Sequence, residues 1–234
     1  MANDIVVRDT FDVGEYKGPT GFEDFGAEDV SMSWLRIAAK NTDAAIKDSP
    51  DYVDGLEPGF FFKTGGEKKT YGKSVQLIVL KYFKSYTEID PKKNEFKRSV
   101  SSREVSTLTR VGANYPLPSG NVVKEAFNYL VLLPNDPASG ILRFSLGAGS
   151  FRHIKNFNAM ITGANAPIWA PVWELSTTLA KSKDGDSYYT IGNENTLVKR
   201  IGFIDPSIKD DVIAAFEVAR QFDPDHGASE DTPF

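Results

Sequence analysis

The chain has 234 residues, 41% of them hydrophobic and 12% aromatic, with a formal net charge of -5; this is enough apolar material for one substantial core. No apolar run approaches the roughly 18 residues that span a bilayer, and Met1-Ala2-Asn3-Asp4 lacks the basic start of a signal peptide, so a cytoplasmic protein is expected. With no cysteine, and with its two histidines at His153 and His226, the sequence offers neither disulfides nor a thiolate or paired-histidine metal site, and no cofactor is expected.

In chain order, residues 1–30 are acidic and Gly-rich without periodicity and read as an extended arm. Ser33-Trp34-Leu35-Arg36-Ile37-Ala38-Ala39 reads as a short helix with Ser31 or Ser33 as its N-cap, followed by a turn region from Pro50 to Gly59. Phe60-Phe61-Phe62-Lys63 is a short aromatic strand whose rings are expected in the core, and Gly65-Gly66 makes a loop. The run Val75 to Tyr86 is β-branched and aromatic enough to be one long strand. Its first half is apolar on both faces; its second half alternates and places Tyr82, Lys84 and Tyr86 on one face.

Lys92 to Arg110 is polar and basic, a hairpin tip or long loop, and strands resume at Ala126–Leu133 and Ile141–Leu146. Apolar spacing predicts a helix over Phe151–Ile161, then β segments over Ile168–Leu179 and Tyr188–Ile191. Asp205-Pro206 is an N-cap followed by Pro at the first helical position, opening a helix with Ile208, Val212, Phe216 and Ala219 on one face. The expected class is therefore mainly β (α+β), an elaborated oligonucleotide-binding (OB-fold) barrel with one internal helix and a C-terminal helix. The organisation is an acidic arm over 1–30, an OB-like nucleic-acid-binding domain over 31–222 and an acidic C-terminal tail over 223–234.

Charge is segregated along the chain. Residues 1–30 carry -6 and residues 223–234 carry -4, which leaves +5 on 31–222; within that stretch, residues 63–110 hold twelve Lys/Arg against five Asp/Glu. Binding a single strand without reading its sequence needs cations along the phosphates and flat side chains on which bases stack. Both are interleaved here. Lys63, Lys68, Lys69, Lys73, Lys81, Lys84, Lys92, Lys93, Lys97, Arg98 and Arg103 supply charge, and Tyr71, Tyr82, Tyr86 and Phe96 supply rings. Arg152 and Lys155 are second candidates for a groove edge, an amphipathic helix being the other reading of that segment. Trp169 and Trp173, four apart in an expected strand, share a face, and Trp169 is a candidate stacker.

Enzyme readings fail on particulars. Gly72-Lys73-Ser74 evokes a phosphate-binding loop, but the spacing puts Glu67 where the first Gly belongs, and a strand follows where a helix is needed. No Gly-x-Ser-x-Gly elbow occurs, so no catalytic residue is assigned.

The chain stops on Glu230-Asp231-Thr232-Pro233-Phe234. Asp231-Thr232-Pro233-Phe234 resembles the Asp-Ile-Pro-Phe tip of bacterial single-stranded DNA-binding proteins, and the whole resembles phage single-stranded DNA-binding proteins of the OB-fold type, whose acidic tails end in Phe. That resemblance implies a protein that coats single-stranded DNA in replication, recombination or repair. It also implies a tail, Glu230, Asp231, Pro233 and Phe234, that recruits replication and recombination proteins and competes with DNA for the basic groove, within a host cell cytoplasm. The tail here is short and has one Asp where the bacterial tip has three. A protein-interaction factor that mimics the tip without binding DNA is the alternative, and a homodimer is left open.

Overall fold

The computed structural model describes residues 32–93, 95–147, 150–181, 185, 187–192 and 197–223. The expected arm and the tail residues Glu230, Asp231, Pro233 and Phe234 lie outside these. The first strand, β1 (Trp34–Ile37), occupies the stretch expected to be helical. Alternation explains the difference: Leu35 is fully buried, and the strand satisfies its backbone by pairing antiparallel with β2 (Phe61–Thr64) and parallel with β8 (Leu142–Gly147). Four residues with those partners gain more as a strand than as a single unsupported helical turn.

β3 (Lys69–Gly72) returns along β2, and β4 (Ser74–Asp90) is the 17-residue spine of the sheet. Along one edge β4 pairs first with β9 (Pro171–Lys181) and then with β5 (Glu95–Val100); along the other it pairs with β7 (Val122–Leu132). The basic stretch expected as a hairpin tip or long loop thus contains the β4–β5 turn, β5 and a one-turn helix, α1 (Ser102–Val105), whose N-cap Ser101 forms a capping box with Glu104. β6 (Asn114–Pro116) flanks β7, while β10 (Ser187–Ile191) and β11 (Val198–Phe203) flank β9. The strand order is β10-β9-β4-β7-β8-β1-β2-β3, with β11, β5 and β6 added at its sides.

This mainly β sheet curls into a half-barrel. Its two ends meet without a ladder among the described residues: Thr177 Oγ1 donates to the Gly59 carbonyl at 2.6 Å, and the Tyr189 ring lies against Gly59. Gly59 has φ +87°, and a Cβ there would come within 2.7 Å of the ring, so the position requires glycine twice over.

Inside the curl, α2 (Phe151–Thr162), as expected from its apolar spacing, inserts Ile154 and Phe157 against Leu77, Tyr129, Phe144 and Trp173. Outside, α3 (Lys209–Gln221), preceded by the Asp205 cap on Ser207, covers Ile78, Leu80, Phe83 and Leu130 with Val212 and Ala219. Trp169 and Trp173 do not share a face. The strand begins only at Pro171, after a turn in which Ala170 N–H donates to the Pro167 carbonyl. Trp173 is buried under α2, and Trp169 packs beside Phe216 of α3, their ring centroids 6.5 Å apart.

Candidate functional site

The orientation of β4 turns on one residue. Val79 pairs with Val131, but Lys81 pairs with Leu130, so Leu80 is an extra residue, a bulge. A one-residue slip exchanges faces. Before the bulge Val75, Leu77 and Val79 point into the curl; after it Tyr82, Lys84 and Tyr86 do, while Lys81 and Phe83 turn outward.

On the inner face, neighbours from other elements join these side chains. Tyr82 lies 5.3 Å from Tyr129, ring to ring, and Tyr129 donates its hydroxyl to Asn158 Oδ1 of α2 at 2.8 Å. Lys84 Nζ is 2.7 Å from Glu125 Oε1 and sits 5.4 Å over the Phe127 ring. Tyr86 meets Tyr115 edge to face at 6.3 Å. Arg110 approaches Glu125 Oε2 at 3.3 Å and lies near both Tyr115 and Phe151, 5.8 and 5.9 Å from their centroids. Phe151, 43% exposed at the start of α2, caps Phe127 at 5.7 Å.

The result is a continuous band of partly accessible rings, Tyr82, Tyr86, Tyr115 and Phe151, around two cations. Glu125 holds those cations in place from below. At 2% exposure a lone carboxylate would be costly, and the two partly exposed cations compensate it. Contact with Glu125 raises the Lys84 pKa, keeping the ammonium charged, while burial raises those of Tyr82 and Tyr86. Lys155, four residues from Phe151 on α2, shares its helical face, and Arg152 is exposed beside it.

Several other expected contacts also make structural interactions elsewhere, while Lys73, Lys92 and Lys93 are simply exposed. Lys63 is 8% exposed and donates to Ser139 Oγ at 3.3 Å. Lys69 pairs with Asp136 at 3.1 Å, and the same carboxylate oxygen accepts from Tyr71 at 2.8 Å and Ser139 at 2.7 Å. Burial pushes the Tyr71 phenol up to about 12. Lys81 donates to the Arg220 and Phe222 carbonyls at 3.1 and 2.6 Å, closing the C-terminus of α3. Lys97 pairs with Glu95, and Arg98 bridges Glu88 and Glu104. Arg103 lines a shallow cleft of about 360 Å³ with Arg98, Leu108 and Leu117. Lys92 and Lys93 are exposed at the β4–β5 turn, their backbone N–H groups on Asp90, and Lys73 is exposed at the start of β4. Trp169 is on the outer face with α3.

Sequence reasoning misses Arg110, Tyr115 and Glu125 and reads Phe151 only as the first apolar position of its helix. Strand pairing brings Glu125 and Tyr115 to Tyr86, while Arg110 reaches the same face from a loop and Phe151 from α2. The periodic signal for Glu125 was present, since it falls in an alternating strand on the side of Phe127, where a charge demands a partner.

A family model described as Pam3 phage gp34-like protein matches residues 1–207. The chain belongs to that family. The matched span takes in all the described strands and the inner-face band; α3 and the acidic tail follow it. No curated protein and no solved structure matches the chain. Among the described residues no helix is long and apolar enough to cross a membrane, and no cluster of metal-ligating side chains occurs.

Proposed function

We propose that this phage-family protein binds single-stranded DNA along the inner face of its curled sheet, as a coating protein without catalysis. The observation that carries the reading is the band itself: Tyr82, Tyr86, Tyr115 and Phe151 alternate with Lys84 and Arg110, and Arg152 and Lys155 border it. Tyr82 and Tyr86 are about 13 Å apart along the strand at roughly 3.3 Å per residue, a span for separate bases of an extended strand. Cations at both sides meet phosphates, and the rings stack bases of any identity. An elaborated OB-type barrel is the fold that goes with this reading, and the curled sheet supports it. Within it, the tail residues Glu230, Asp231, Pro233 and Phe234 serve to recruit replication and recombination proteins.

The test is a fluorescence titration of the full chain with an unstructured thymine oligonucleotide, beside Phe151→Ala and Tyr115→Ala. Each lost stacking contact is worth about 1–3 kcal/mol, so each variant binds roughly 5- to 150-fold more weakly. Absence of binding at low salt by the intact protein refutes the proposal. If removal of Phe234 then still abolishes biological activity, the interaction factor that borrows the tip is the correct reading.

A further inference from the structure

We infer that Arg36 and Arg143, on the outer face of the sheet, form a receptor for a phosphate group. Trp34 and Arg36 alternate with the buried Leu35, and Arg143 alternates with the buried Leu142 and Phe144; the parallel register sets Trp34 beside Arg143. Both guanidiniums converge on one indole: Arg143 Cζ is 4.4 Å and Arg36 Cζ 5.1 Å from the Trp34 centroid, and Arg143 is also 5.4 Å from that of Phe83. Arg143 is held at its back. Its Nε donates to Asn128 Oδ1 at 3.0 Å and its Nη2 to Ser85 Oγ at 3.3 Å, while Asn128, fully buried, donates to the same Ser85 oxygen at 3.0 Å.

What is missing among the described residues is a counter-charge. Arg98, Arg110 and Arg220 each hold a carboxylate, yet no described carboxylate pairs with Arg36 or Arg143. Two like charges, both largely withdrawn from water, sit on a single ring, an arrangement that costs free energy unless an anion joins it. The desolvation is deep enough to lower the Arg143 pKa to about 10 and to lower that of Arg36. Among the described residues nothing accepts from Arg143 Nη1 or from the fork of Arg36, and guanidinium donors suit the oxygens of a phosphate group.

The phosphate comes either from solution or from the backbone of a bound strand, the second source resting on the DNA-binding reading above. Two arms separate them. In the first, inorganic phosphate is titrated into the full-length protein at constant ionic strength in chloride, following the arginine side-chain Nε–H signals by NMR. Saturable shifts of the Arg143 signal are expected, with affinity reduced at least 10-fold in Arg36→Gln and incompletely restored in Arg36→Lys. In the second, the oligonucleotide titration is repeated with Arg36→Gln: a salt slope shallower by about one phosphate assigns the site to the strand, and an unchanged slope assigns it to free phosphate. Linear, unsaturable shifts, or equal phosphate affinity in a folded Arg36→Gln, overturn the receptor. Those outcomes leave the inner-face reading intact, because that reading is tested on oligonucleotide binding by the intact protein and by variants of the band, not on Arg36.

Discussion

At Glu125 a carboxylate with 2% exposure lies between Lys84 and Arg110, so one buried negative charge offsets half of what the centre of the band presents to a strand. Glu125→Gln keeps the shape and removes the charge. At a few ångströms through water-like surroundings that charge is worth about 1 kcal/mol, so the variant is expected to bind oligonucleotide about 3- to 10-fold more tightly at low salt, the gain fading as salt screens it. Glu104 offers a pH test. Its pKa is held at about 2, below the ordinary 4.5, by Arg98, then by the Ser101 backbone and hydroxyl. A depressed carboxylate stabilises the fold fully above its unfolded pKa and loses that contribution as pH falls through the folded one. Wild type is therefore expected to be more stable than Glu104→Ala at pH 6, with the difference disappearing between about pH 4.5 and 2 in denaturant melts followed across pH.

At the scale of elements, Lys81 separates two roles that look identical in sequence. It is one of the expected DNA contacts, and its ammonium donates to the Arg220 and Phe222 carbonyls at the last turn of α3. Lys81→Met is expected to cost about 1–2 kcal/mol of stability while leaving oligonucleotide affinity within twofold; a large affinity loss with an unchanged melt reverses the assignment. Its neighbour Lys84, three residues on, lies across the sheet from it. The long strand, the second strand pair and both long helices are legible from periodicity, because their buried faces are broad. β1 is not: four residues carry too little periodic signal, and its partners β2 and β8 lie some 25 and more than 100 residues away. The basic stretch after Pro91 hides β5 and α1 because β5 is an edge strand with largely exposed side chains.

For the whole molecule, the distribution of charge matters more than its total of -5. If Lys84, Arg110, Arg152 and Lys155 meet phosphates, log affinity should fall against log salt with a slope of about -3, at roughly 0.7 per single-strand phosphate. A flat salt response contradicts phosphate contact at the band. Closure of the curl is open to a separate test: Gly59→Ala, which strains a positive φ and strikes the Tyr189 ring, should lower stability by about 1–3 kcal/mol, read from chemical melts. Chains truncated after Asp223 should bind oligonucleotide more tightly if the acidic tail competes for the same surface, and identically if it serves only to recruit partners.

The alternation of Tyr82, Lys84 and Tyr86, the apolar stripe of α2 and the cap at Asp205 are written locally, in spacings that any strand or helix must obey, and they can be read without a fold. Which side of the sheet the tyrosines face is not local. It depends on the bulge at Leu80, a single unpaired residue whose presence is defined only by the register of Val79 and Lys81 against β7. The same pairing decides which lysines are free and which are spent on Asp136, Ser139 or the end of α3. Charge and aromatic content are properties of the chain, but their availability to a ligand is set by partners brought together from distant segments.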